Sequence, residues 1–155
     1  MGTRSVHVFP VDKNKFKWQY LQFDGYPSVQ LKSIIHAFKN TIIFSYTKEW
    51  NEKNKTILMK FLNAFYELKS FTSEHSIDAN EIFDNKLDII NFSENMSCMW
   101  CYEWYFENNE LKLKITNLSS LKQEIISLTE LINVSRMKDE QINEFIEKYE
   151  LEEAV

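Results

Sequence analysis

The sequence predicts an α+β fold: an antiparallel sheet of about four strands, arranged as two hairpins and packed against several α-helices. Three observations carry this. Two pairs of short alternating segments, rich in aromatic and β-branched residues, are each joined by a brief polar loop. Between and after them lie stretches with apolar residues at i, i+3, i+4 and i+7, the spacing of amphipathic helices. Only 2 Gly and 2 Pro occur in 155 residues, too few for a turn-rich all-β chain. The order ββ–α–α–ββ–α–α segregates strand pairs from helix pairs, and residues 1–155 read as one α+β domain with no internal linker.

Residues 3–10 and 16–23 form the first strand pair across Asp12-Lys13-Asn14-Lys15. Phe16, Trp18 and Tyr20 share one face of the second strand; Lys17, Gln19 and Leu21 share the other. Asp24-Gly25-Tyr26-Pro27 then breaks it, with Gly25 expected to take a positive φ and Pro27 to fix the chain ahead of a helix. Ser28 is placed to cap that helix, whose apolar positions are Leu31, Ile34, Ile35 and Phe38. Residues 41–54 fit a strand, a loop or more helix. Ile57, Leu58, Phe61, Leu62, Phe65 and Leu68 form the stripe of a second helix, with Phe61 and Phe65 expected in the core. Residues 72–95 are the least periodic and read as a long connection with one helical turn near Asn80 to Phe83.

The second strand pair covers 97–106 and 110–116, joined by Glu107-Asn108-Asn109. Trp100, Tyr102, Trp104 and Phe106 share one face; in the partner strand Leu111, Leu113 and Ile115 oppose Lys112 and Lys114. Ser120 to Gln123 has the form of a capping box, opening a helix along Leu121, Ile125, Leu128 and Ile132, with Leu118 ahead of it. After a break at Ser135-Arg136 comes an acidic helix over about 138–152. Its apolar stripe is Ile142, Phe145, Ile146 and Tyr149, and Glu140, Glu144 and Glu147 lie opposite.

Composition narrows the class further. With 44% apolar and 15% aromatic residues the chain holds too much bulk to be disordered. No apolar run reaches the ~18 residues of a membrane span, and MGTRSVHVFP lacks the apolar stretch of a secretory signal. A cytoplasmic protein without membrane association is expected. The net charge of −5 is unevenly divided. Residues 1–73 carry 11 Lys/Arg and 5 Asp/Glu, a net of +6; residues 74–155 carry 7 and 18, a net of −11. Two readings follow: the halves attract each other within the fold, or the acidic helix docks on a basic, nucleic-acid-binding surface of another protein. Direct nucleic-acid binding is less favoured, because the basic half has ten Lys and one Arg, Arg4, and phosphate and base readers rely on Arg.

Catalytic patterns are missing. Cys98-Met-Trp-Cys101 has C-x-x-C spacing, but in a strand i and i+3 face opposite sides, and half a zinc site is not a site; buried structural thiols are expected. His7, His36 and His75 are scattered. No H-E-x-x-H, G-x-S-x-G or glycine-rich phosphate loop occurs, so no catalytic residue, metal or cofactor is assigned. The aromatic strands are either the sheet's core face or a stacking platform for single-stranded nucleic acid.

Gly2-Thr3-Arg4-Ser5 opening a strand, followed by an aromatic strand running into Asp24-Gly25-Tyr26-Pro27-Ser28, resembles a family of small phage and prophage proteins. That family also has an aromatic strand like Trp100 to Phe106 and a short strand like Leu111 to Ile115. It usually continues its signature with Gly-His-Gly, where this chain has Val29-Gln30. The resemblance implies no general activity, but it points toward counter-defence in the bacterial cytoplasm. The leading expectation is a non-enzymatic, anti-CRISPR-like inhibitor of an anti-phage system. It would bind a host effector protein or its guide-RNA complex through Glu140, Glu144 and Glu147. The alternative is an RNA- or nucleotide-binding module that uses the aromatic sheet or a ligand corner of Arg4, Asp24, Gly25 and Tyr26. A small-molecule sponge or a phage hydrolase stands third.

Overall fold

The computed structural model describes residues 3–12, 15–21, 24–39, 52–72, 76–78, 98–108 and 110–153. In chain order these form β1 (Ser5–Asp12), β2 (Lys15–Leu21), α1 (Pro27–Lys39), α2 (Glu52–Thr72), β3 (Ser76–Asp78), β4 (Trp100–Glu107), β5 (Glu110–Asn117), β6 (Gln123–Ser127), α3 (Leu128–Ser135) and α4 (Asp139–Glu153). The α+β class and both hairpins are as the sequence predicts. The sheet differs: among the described residues it is mixed, not antiparallel, and has six strands in the order β3-β2-β1-β4-β5-β6.

The departure from an antiparallel sheet lies in a single pairing. β1 and β4 run parallel, from Ser5 opposite Trp100 to Val8 opposite Glu103. The chain leaves β2 and enters β4 at the same end of the sheet, so β4 runs opposite to β2; placing β1 between them makes the β1–β4 contact parallel. β1 suits that central slot because Ser5 through Pro10 are all buried, whereas β2 begins exposed at Lys15. Pro10, which cannot donate to a ladder, falls beyond the last β1–β4 pair, and the register with β2 shifts between Pro10 and Asp12.

Two strands arise where none was expected. β3 lies inside the stretch read as a connection and pairs with β2; the turn expected at Asn80 to Phe83 and residues 41–51 lie outside the described residues. β6 replaces the first half of an expected helix. The Asn117 side-chain oxygen takes the N–H groups of Ser119 at 3.0 Å and Ser120 at 3.2 Å, and Leu121 turns the chain with φ 63°. That hairpin turn overrides the Ser120 capping box. Leu121 and Ile125 are 70% and 52% exposed, so they belong to no core stripe. The helix starts later, where the Ser127 hydroxyl accepts the Glu130 N–H at 3.1 Å.

The helices cover one face of the sheet. Trp100, Tyr102, Trp104, Leu111, Leu113 and Ile115 meet the apolar stripes of α1 to α4 in the larger core cluster. The aromatic face of β4 is therefore core. β2 behaves otherwise: Phe16, Trp18 and Tyr20 oppose Pro10, Val8 and Val6, which places them on the other face. There Val6, Val8, Tyr20, Cys98 and Cys101 form a second, smaller cluster. The α2 stripe is also rotated from expectation. Leu58, Leu62 and Tyr66 are buried, Phe61 and Phe65 are half-buried beside them, and Leu68 is 66% exposed.

Candidate functional site

The corner between β2 and α1 is tightly tied. The Gly25 N–H donates to the Thr3 carbonyl at 3.0 Å, and the Gly25 carbonyl accepts the buried Tyr102 hydroxyl at 2.6 Å. The Gln30 side-chain amide donates to the Asp24 carbonyl at 2.7 Å. The positive φ falls on Asp24, at 59°, and not on Gly25 as expected. Gly25 is required by space instead: a Cβ there would stand 2.8 Å from Ser5 Cβ and 2.9 Å from the Thr3 carbonyl oxygen. Pro27 is the first helical residue, the position where its missing N–H costs nothing, so Ser28 lies inside the first turn and is not the cap. Of the four residues proposed for a ligand corner, Gly25 is buried, Arg4 half-buried, and Asp24 and Tyr26 exposed. The Asp24 carbonyl and both backbone groups of Gly25 are thus engaged in holding this corner to Thr3, β4 and α1.

The acidic helix is built as its sequence periodicity predicts. Ile142, Phe145 and Ile146 are buried against the core and Tyr149 half-buried, while Glu140, Glu144 and Glu147 are exposed. At 1.5 Å rise per residue the three carboxylates mark a ridge about 10 Å long. The helix is anchored at its start by Lys39 of α1, whose amine meets the Asp139 carboxylate at 3.0 Å. That hydrogen bond and charge hold the Asp139 carboxyl below its ordinary value, with His36 and Lys32 adding smaller effects. Among the described residues, this ion pair joins the basic and acidic halves of the chain.

Cys98 and Cys101 are free and buried. Both pack in the smaller cluster, contrary to the expected opposite faces, because Cys98 precedes the strand and escapes its alternation. Burial pushes the Cys98 thiol up to about 11, against the opposing pull of the Arg4 guanidinium. Among the described residues no three His, Cys, Asp or Glu side chains are placed to share a metal ion. His36 is half-buried on α1, and His75 lies outside the described residues.

Sequence reasoning missed a buried polar cluster centred on Tyr66. Its hydroxyl lies 2.9 Å from His7 Nδ1 and accepts the Trp104 indole N–H at 2.9 Å. Its backbone carbonyl accepts the Gln19 amide at 2.9 Å. His7 also stacks on Tyr102 at 4.5 Å with an 8° interplanar angle. The available signal was the i+4 series Leu58, Leu62, Tyr66, in which a hydroxyl-bearing ring continues a core stripe and so requires buried partners. An open groove of about 360 Å³ runs along the outer side of α2, between Val11 and Thr56, Met59, Lys60, Asn63, Ala64 and Glu67. Among the described residues no helix is long and apolar enough to cross a membrane.

No family model matches the chain, and neither a curated protein nor a solved structure does.

Proposed function

We propose that this protein is a non-enzymatic inhibitor of a bacterial anti-phage system, binding a basic host effector protein or its guide-RNA complex through the outer face of α4. The observation that carries the reading is the presentation of Glu140, Glu144 and Glu147, exposed together on a helix whose opposite side is buried. A partner would meet this preordered ridge without first having to fix the helix. The resemblance of the N-terminal strand and the Asp24–Pro27 signature to phage and prophage proteins supports the setting. Charges arranged this way chiefly set association rate and partner choice. Binding through stacked bases receives less support, since Trp100, Tyr102 and Trp104 lie under the helices.

The test has two arms. Capture from a host lysate, with nucleic acid retained, identifies the target and separates a protein complex from free RNA. Replacing Glu140, Glu144 and Glu147 together by Lys is then expected to slow association and abolish inhibition. Thermal stability should change little, because exposed substitutions cost under about 0.5 kcal/mol each. Wild-type binding should weaken with added salt. A stably folded triple variant that inhibits like wild type refutes the α4 ridge as the binding face. Direct binding of RNA by the isolated chain would move the function to the basic N-terminal half.

A further inference from the structure

We infer that the outer edge of β6 is a self-association site, where a second copy of this chain pairs antiparallel and joins two sheets into one. Among the described residues β6 ends the sheet. The Asn117 N–H donates to the Lys122 carbonyl at 2.9 Å, so the Lys122 backbone faces β5. Alternation then aims the backbone groups of Glu124 and Ile126 at β5 and those of Gln123 and Ile125 outward. Sheet edges of this kind are usually blunted by a proline, a bulge or several lysines. Residues 121–127 hold neither Pro nor Gly, and Lys122 is their single cation. The register with β5 runs without a shift. Leu121 through Ile125 are all exposed, and burial resumes at Ile126. Leu121 at 70% and Ile125 at 52% are among the most exposed large apolar side chains of the described residues.

The exposed run itself identifies the occupant. Paired antiparallel with its own copy about Gln123, it sets Leu121 opposite the partner's Ile125 and Lys122 opposite the partner's Glu124. Two-fold symmetry repeats each contact. At the axis each Gln123 backbone N–H donates to the other copy's Gln123 carbonyl. The Ile125 N–H is directed to the partner's Leu121 carbonyl, while the Leu121 N–H is already spent on the Asn117 carbonyl at 2.7 Å. Competing two-fold registers fail on charge or space. An axis at Lys122 or at Glu124 places like charges directly opposite each other. An axis at Ile125 sets Gln123 against half-buried Ser127 and Lys122 against buried Leu128, where α3 begins.

The overlap is short, so the dimer is weak and concentration exposes it. Sedimentation velocity on the full chain from about 10 µM to about 1 mM covers the affinities of interfaces this small. Wild type should pass from monomer to dimer across that range. Lys122→Glu or Glu124→Lys alone turns both attractive pairs repulsive and should weaken association by at least about tenfold. An equimolar mixture of the two variants places the acids of one copy opposite the lysines of the other. That heterodimer should recover wild-type strength, as should the double exchange Lys122→Glu with Glu124→Lys. Wild type that stays monomeric at about 1 mM overturns the inference. So do single variants that associate like wild type, or a mixture that does not recover. If a variant fails to fold, wild type decides: isotope-filtered NOEs between labelled and unlabelled copies should connect the Leu121 and Ile125 methyls. A dimer without those NOEs refutes the pairing.

Discussion

At Gly25 the constraint is volume, because its φ is not positive and any residue could adopt it. A methyl group there would meet the backbone oxygen of Thr3 and the Cβ of Ser5, neither of which is the far end of a flexible side chain. Gly25→Ala is expected to cost about 1–3 kcal/mol in chemical denaturation, the range for forced overpacking; a loss under about 0.5 kcal/mol would show that the strand and corner separate easily. Cys98 offers a second residue-level test. With its thiol pushed up to about 11, roughly a thousandth is thiolate at pH 8, against about a quarter for a free cysteine near 8.5. Alkylation of the native protein at pH 8 should be slow at Cys98 and become fast only in denaturant. Modification at the rate of a small thiol, read by peptide mass, would contradict its burial.

Elements respond to burial, and α2 shows why an apolar stripe is only a first approximation. Its periodicity holds, but Leu58, Leu62 and Tyr66 occupy the centre line while Phe61 and Phe65 sit at the margin. Leu62→Ala should therefore cost about 2–5 kcal/mol. Phe65→Ala, at a half-buried ring in edge contact with Tyr66 at 4.9 Å, should cost only about 1–2 kcal/mol. If denaturation reverses that order, the helix is rotated from the orientation described. In β6 and α3 the opposite lesson appears. The same run of apolar residues, Leu121 to Ile132, accommodates a strand and then a helix because Asn117 builds a hairpin turn ahead of it and Ser127 restarts the helix. Helical spacing over that run is accidental, since Leu121 and Ile125 point to solvent.

For the whole molecule the electrostatic question is how the +6 and −11 halves meet. Lys39 and Asp139 give one direct contact between them, joining α1 to the start of α4. Because this pairing lowers the Asp139 value in the folded state, its contribution is present above the ordinary carboxylate value of about 4. It is lost as pH falls through the lower folded value. Asp139→Asn should accordingly be less stable than wild type near neutrality, with the gap closing in strong acid and narrowing in salt. A gap independent of pH would assign the effect to helix capping and not to the ion pair. Glu140, Glu144 and Glu147, further along α4, play no part in this contact.

The sequence by itself determined the α+β class, both hairpins, the amphipathic α1 and α4, and the outward ridge of α4. Each of these depends on local periodicity, which dihedral geometry and apolar burial enforce within one element or one turn. It did not determine which strand of the first hairpin meets β4. That choice turns one pairing from antiparallel to parallel and is settled by β1 having both faces to bury. Nor did it reveal that Phe16, Trp18 and Tyr20 line the face opposite Trp100, Tyr102 and Trp104, since alternation assigns two faces to a strand but cannot relate the faces of different strands. The His7–Tyr66–Trp104 cluster was illegible for the same reason. Its members come from a strand, a helix and another strand, separated by 59 and 38 positions, and only packing α2 across the sheet brings their polar atoms within hydrogen-bond reach.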